Sequence, residues 1–430
     1  MSAPGLSFEQ APPLGVPLRF FLSAPPFLLL AAVVLLWQGP TLLASRWSPG
    51  LLAVTHAFTL GFLGLVMIGA LLQMLPVVAG APVARPRQTA MAVHVPLAFG
   101  ILGLMGGFLF QRPFLFQLAL PLLGAGFAVF LAAVGLALTR AARNPTVTAM
   151  GLAALALLAT VLLGLVLASR YAWPWPLAAR LRLVDLHLAW GLLGWVGLLI
   201  VGVAYQVVPM FQLTPAYPKR LARWLAPAAF ALLAAWSAAA WSGHEGAAAL
   251  AGLALAAVLA AFAGVTLRLQ ARRRRRQPDA TLLFARAAML SLLLAVGLWI
   301  SGRLLPAVAA LPAYEPLLGM LVIAGFAVSM VNGMLYKIVP FLVWFHLQSQ
   351  RGAAPNIRLI VPEQHTRGQF WLHCLALALL ALAILRPQPF LYPAALLLAA
   401  SAGWLWFNLY GAYRVYRFEH GHGRAAAAAR

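Results

Sequence analysis

GFLGLVMIGALLQMLP (61–76), GWVGLLIVGVAYQVVP (194–209) and GFAVSMVNGMLYKIVP (325–340) share one spaced pattern: Gly, seven residues, Gly, three residues, Gln or Lys, two residues, Pro. Its corners are Gly61, Gly69, Gln73 and Pro76; then Gly194, Gly202, Gln206 and Pro209; then Gly325, Gly333, Lys337 and Pro340. The prolines lie 133 and 131 residues apart, close to one third of the 430-residue chain. Recurrence at a fixed interval marks internal repetition, which governs the reading of every single residue. Each copy closes a long apolar segment, so the repeating unit belongs in a membrane.

Composition agrees. Hydrophobic residues make up 63% of the chain and charged residues 9%, whereas about a quarter of a soluble domain is charged. Thirty Lys and Arg face seven Asp and Glu, a net charge of +23, but the cations lie between apolar segments and no nucleic-acid recognition motif accompanies them. No nucleic-acid partner is expected; the lipid bilayer is.

A helix needs about 20 residues to cross the hydrocarbon core, and no run of short alternating strands suggests a barrel. The apolar segments predict twelve transmembrane helices, near 20–38, 51–79, 90–110, 114–138, 147–168, 183–211, 224–241, 247–267, 282–300, 316–345, 370–385 and 390–413. Twelve helices and a threefold period make three four-helix repeats, approximately 15–145, 146–276 and 277–414, with 415–430 as a cytoplasmic tail. The fold class is an all-α polytopic membrane protein.

With a cytoplasmic amino terminus, the inner segments carry 22 of the 30 cations, including Arg85, Arg87, Lys219, Arg220 and the run Arg272 to Arg276. Seven fall outside: Arg46, Arg112, Arg170, Arg180, Arg182, Arg303 and Arg386. That bias is the positive-inside rule with both termini cytoplasmic. The first 20 residues lack the basic region and cleavage site of a signal peptide, so the first helix is expected to stay. The lone Cys374 excludes an intramolecular disulfide, and no CxxCH stretch exists to attach a c-type heme.

The patterned segments are helices two, six and ten, with the Gln or Lys and the Pro towards the cytoplasm. Glycines so spaced read as close-packing positions, and the prolines as helix stops. Gln73, Gln206 and Lys337 carry more information, because a Lys inside a membrane helix must face protein or water, or snorkel to the headgroups. His56 (THAFTLGF) and His187 (LHLAWGLLGW) stand near the outer ends of helices two and six. A neutral imidazole there needs a hydrogen bond or a metal, and two at similar depth can converge. Against this, His56 precedes Gly61 by five residues and His187 precedes Gly194 by seven. On ideal helices that offset turns the side chains about 160° apart; local irregularity, or use of different helix sides, would be needed to bring them together. A second, inner metal or heme site is offered by His94, His346 and His373 with Cys374, beside His365 in a loop.

Twelve helices in three four-helix repeats, with His56 near the outer end of helix two, resemble the heme-copper oxidase subunit I superfamily, and more closely its reduced NnrS-like membrane heme proteins. The resemblance spans nearly the whole chain in architecture. It implies heme b held through His56, with His187 as the other axial candidate and the outer Arg170, Arg180 and Arg182 pairing with propionates. Trp173 and Trp175 would lie over that face. Copper is less expected. After His187 come Leu188, Ala189 and Trp190; helix seven (WLAPAAFALLAAWSAAAW) and the outer half of helix ten (PLLGMLVIAGF) have no His. The three-histidine copper site of oxidases is therefore missing, and oxygen or nitric oxide reduction by that route is not expected.

The leading expectation is a bacterial inner-membrane heme- or metal-binding protein on an oxidase-like scaffold, in respiratory redox chemistry, nitric oxide response or respiratory-complex assembly, with respiratory subunits or an electron donor as partners. The alternatives are a cofactor-free transporter or channel-like protein, a divergent oxidase or nitric oxide reductase subunit, or a factor whose chemistry belongs to a partner.

Overall fold

A computed structural model describes residues 8–275, 277–351 and 354–428; residues 1–7, 276, 352–353 and 429–430, Arg276 and Arg430 among them, lie outside the described residues. Among these, twelve helices are long and apolar enough to cross a membrane: α1 (Gly15–Gln38), α2 (Pro49–Ala79), α3 (Pro86–Phe110), α4 (Pro113–Leu138), α5 (Pro145–Ala172), α6 (Arg180–Gln212), α7 (Lys219–Ser242), α8 (Glu245–Ala271), α9 (Ala280–Leu304), α10 (Tyr314–Ser349), α11 (Glu363–Leu385) and α12 (Pro387–His420). The chain is an all-α, multi-pass membrane protein.

Boundaries differ from the sequence reading in places. The helix of α12 continues to Ala428, taking in most of the expected tail. α11 begins at Glu363, ahead of the apolar run, so His365 is helical. Pro76, Pro209 and Pro340 do not stop their helices, which run on to Ala79, Gln212 and Arg351.

The patterned glycines form a seam within each repeat. A Cβ on Gly61 would meet the Phe27 ring at 2.4 Å, on Gly194 the Ala156 Cβ at 2.8 Å, and on Gly325 the Ser291 Cβ at 2.8 Å. The second glycines repeat the arrangement: Gly69 against Phe20 at 2.7 Å, Gly202 against Ala149 at 2.5 Å, Gly333 against Phe284 at 2.7 Å. All six neighbours lie on the first helix of the same repeat, α1, α5 or α9. Lipid tails are as apolar as the side chains, so helix association in a bilayer rests on close packing, and small residues permit it.

Each seam also holds a π-helical stretch of 8 residues: Ala57–Gly64, Trp190–Gly197 and Leu321–Val328. Each begins four residues before the first glycine of its pattern, so the widened turn recurs in one register. Such segments inside α-helices are frequent at functional sites.

The fourth helix of each repeat packs on the first of the next: α4 on α5, α8 on α9, and α12 back on α1. The outer helices thus close a ring around α2, α6 and α10. These three are the most buried, at 89%, 72% and 61% of their most apolar windows. The π segments of α2 and α6 each touch that of α10.

The seam makes a testable distinction. Gly202→Ala is expected to destabilise the detergent-purified protein by about 1–3 kcal/mol through overpacking. Gly264→Ala, where a Cβ meets nothing within 4 Å, is expected to be neutral or to stabilise by up to about 1 kcal/mol through helix propensity. Thermal unfolding of both variants beside the parent checks this.

Candidate functional site

His56 is the residue before the π segment of α2, and its Nδ1 lies 2.7 Å from the Leu52 carbonyl oxygen one turn earlier. His187, on α6, sets its Nδ1 3.0 Å from the Thr160 carbonyl of α5. A carbonyl only accepts, so in both rings Nδ1–H donates and Nε2 keeps a free lone pair. Among the described residues no group hydrogen-bonds either Nε2. The ring centroids lie 6.5 Å apart with planes 25° from parallel. Gly164 of α5 leaves the room: a Cβ there would come within 2.9 Å of His187 Cε1.

The structure therefore brings together the two histidines that the register offset had set about 160° apart. The reason is rotational. Helices related by turning about an axis present the same flank in the same sense, so two neighbours that face each other do so with opposite flanks. Convergence requires non-equivalent positions, which an offset of two residues supplies.

The centroid separation is close to that of two imidazoles sharing one ion. Two imidazoles bonded to one first-row ion through Nε2, at about 2.0–2.1 Å each, place their centroids roughly 6 Å apart in a linear arrangement. Nδ1 bound to a carbonyl is the usual support for such a ligand, because it fixes the tautomer and aims the ring. Among the described residues no three His, Cys, Asp or Glu side chains group together, so protein atoms supply two donors at this place. Two histidines are what a heme iron would take from the protein, and half the set of a structural zinc.

Aromatic rings insulate the pair. Phe108 stacks on His56 at 5.4 Å and packs in turn on Phe116 and Tyr171. Arg180 donates from Nη2 to the Tyr171 hydroxyl at 2.7 Å, which connects one expected propionate partner to the histidines through Tyr171 and Phe108. Arg182 instead donates to the Trp241 carbonyl, and Arg170 is exposed without contact to the pair. At the same end Arg46 bridges Glu315 at 3.1 Å and Asp185 at 3.9 Å. This cation ties α6 to α10 from the segment leading into α2.

The other end of the bundle departs further from expectation. Lys337 faces a protein partner: its Nζ lies 3.0 Å from Asp279 Oδ2, a carboxylate whose side chain is 4% exposed. Arg275 holds the same oxygen at 2.9 Å, and Asp279 Oδ1 caps α9 by accepting from Leu282 N–H. Asp279, missed in the sequence, carried a signal: an Asp directly before an apolar helical run is an N-cap. The repeat-equivalent Gln73 is buried with no partner for Oε1 among the described residues, while Gln206 is exposed. The three polar pattern positions thus do different things.

The inner histidine set is not assembled either. His94 pairs with Ser23 Oγ at 2.8 Å, His373 with Ser329 Oγ at 2.9 Å, and His346 lies between the Leu342 and Pro12 carbonyls. Each satisfies a separate local contact, and Cys374 is a free thiol beside one of them. Sequence reading also missed the buried chain in which Asn408 donates to the Tyr336 hydroxyl, Tyr336 to Gln369 Oε1, and Gln369 to Ser401 Oγ.

What fold and site define is a polytopic membrane protein of three four-helix repeats with a paired-histidine centre at one end. No family model matches the sequence, and no curated protein matches it.

Removing one partner of a buried ion pair strands the other. Lys337→Met is expected to cost about 1–3 kcal/mol of stability, with Arg275 and the α9 cap retaining Asp279. The double variant Lys337→Met, Asp279→Asn is expected to recover part of that loss, as coupled neighbours do in a thermal-unfolding cycle.

Proposed function

We propose that this chain is a bacterial cytoplasmic-membrane heme protein in which His56 and His187 are the axial ligands of one heme b, serving respiratory redox chemistry, nitric oxide response or respiratory-complex assembly. One observation carries the reading: two imidazoles from different helices, each with Nδ1 committed to a carbonyl and Nε2 left without a hydrogen bond among the described residues, lie with ring centroids 6.5 Å apart. His56 and His187 would hold the group, and a protein site of two donors suits heme, which would bring its own ring nitrogens, better than a bare copper ion. When bound, heme supplies reversible one-electron chemistry of iron.

The residues of this chain hold and insulate the group. The Leu52 and Thr160 carbonyls fix both tautomers and raise ligand basicity. Phe108, Phe116 and Tyr171 exclude water from one side. Arg180 offers a guanidinium to a propionate through charge-assisted hydrogen bonds. The cation bias supports an orientation with both termini cytoplasmic and the histidine pair near the outer face, where electrons would come from a respiratory subunit or other donor.

A reduced-minus-oxidised spectrum with pyridine hemochrome quantification tests the reading. Stoichiometric heme is expected in the parent and loss of most of it in His56→Ala and in His187→Ala; normal heme in both variants would sink the assignment. Gly164→Ala, which pushes a methyl group against His187 Cε1 while leaving both ligands in place, is expected to shift the spectrum or lower heme occupancy. A colourless parent from heme-replete cells would overturn the proposal outright.

A further inference from the structure

A second feature lies on the axis of the bundle, away from the histidines. Between α2, α6 and α10 is a cavity of about 70 Å³, and every side chain lining it is apolar. The lining follows the repeat. Val66, Leu199 and Met330 stand three residues before the second glycine of each pattern, and Ala70, Val203 and Met334 stand one residue after it. Three copies of one packing unit meet here without filling the space between them. Val66 is ten residues beyond His56, or roughly 15 Å along a helix, so this is a separate place.

The chemistry of the walls selects the occupant. A buried water needs two to four polar partners, and these side chains offer none. An ion would sit in low dielectric without a counter-charge, which is strongly unfavourable. The volume is about half that of the ~150 Å³ apolar cavity that takes up benzene or xenon, which suits a solute of one to a few heavy atoms. Small neutral apolar molecules remain: diatomic gases, noble gases and the shortest hydrocarbons. Dry cavities lined by aliphatic side chains hold such solutes, and a site within the membrane draws on molecules that already concentrate in the hydrocarbon.

We infer that the pseudo-threefold axis of this protein is a binding site for gas-sized apolar solutes. This assignment is independent of heme at the histidine pair, and the cavity stands whether or not that reading holds.

Xenon is the probe. Crystals of the full-length protein under xenon pressure are expected to show one xenon peak enclosed by Val66, Val203 and Met334. Ala70→Leu fills the space and is expected to abolish the peak; Leu335→Ala enlarges it and is expected to raise occupancy at the same pressure, which keeps the test decisive if the filled variant fails to fold. Absence of xenon from the axis, acyl-chain density running through it, or occupancy unchanged in Leu335→Ala would each overturn the inference.

Discussion

Contact between the first two helices of each repeat is the constraint on which the rest of the molecule depends. In a bilayer the apolar surface of a helix gains nothing by leaving lipid for protein, so only contact closer than lipid can achieve holds helices together. Two glycines per central helix provide it, and α1, α5 and α9 fill the notches with Phe27 and Phe20, Ala156 and Ala149, and Ser291 and Phe284. Once one flank of α2, α6 and α10 is committed to that seam, their remaining faces meet one another at the middle. The ring of outer helices, the histidine pair and the axial cavity all follow from that commitment.

Around such an axis, adjacent central helices touch through unlike faces. His56 and His187 illustrate the point, since each reaches the other from a different register of the same pattern. Polar side chains at the opposite end follow local partners in the same way. Lys337 answers a carboxylate that caps α9, whereas the equivalent Gln73 is buried in its own repeat. The backbone repeats three times and the side-chain chemistry does not. Glycine spacing is required wherever helices must pack, but a charge is required only where its partner stands.

Helix number, repeat period and packing glycines were legible in the sequence because each leaves a mark on composition: apolar length, spacing and small size. The π segments were not, since a widened turn in an apolar run such as Leu321–Val328 uses the same residues as an α-helical one. His56 and His187 were legible as candidates, but their meeting was obscured because aligning registers treats a rotation as a translation. The partner of Lys337 was hidden for a different reason. Hydropathy describes one helix at a time, and its partner Asp279 stands at the start of another. The early start of α11 at Glu363 escaped notice because its first turns are polar, and the anchors there are specific: Glu363 accepts from the Ala280 N–H and from Arg367.

Joining the three units in one polypeptide has a consequence for stoichiometry. A trimer of identical four-helix subunits would have to place the same residues at all three junctions, giving three histidine pairs and three lysines, each with its own aspartate. Covalent fusion releases the junctions from that identity. Among the described residues this chain builds one such histidine pair, between α2 and α6, and one Lys–Asp contact, between α10 and the start of α9, while the glycine seam stays threefold. Symmetry is kept where it supports the scaffold and abandoned where chemistry needs a single address.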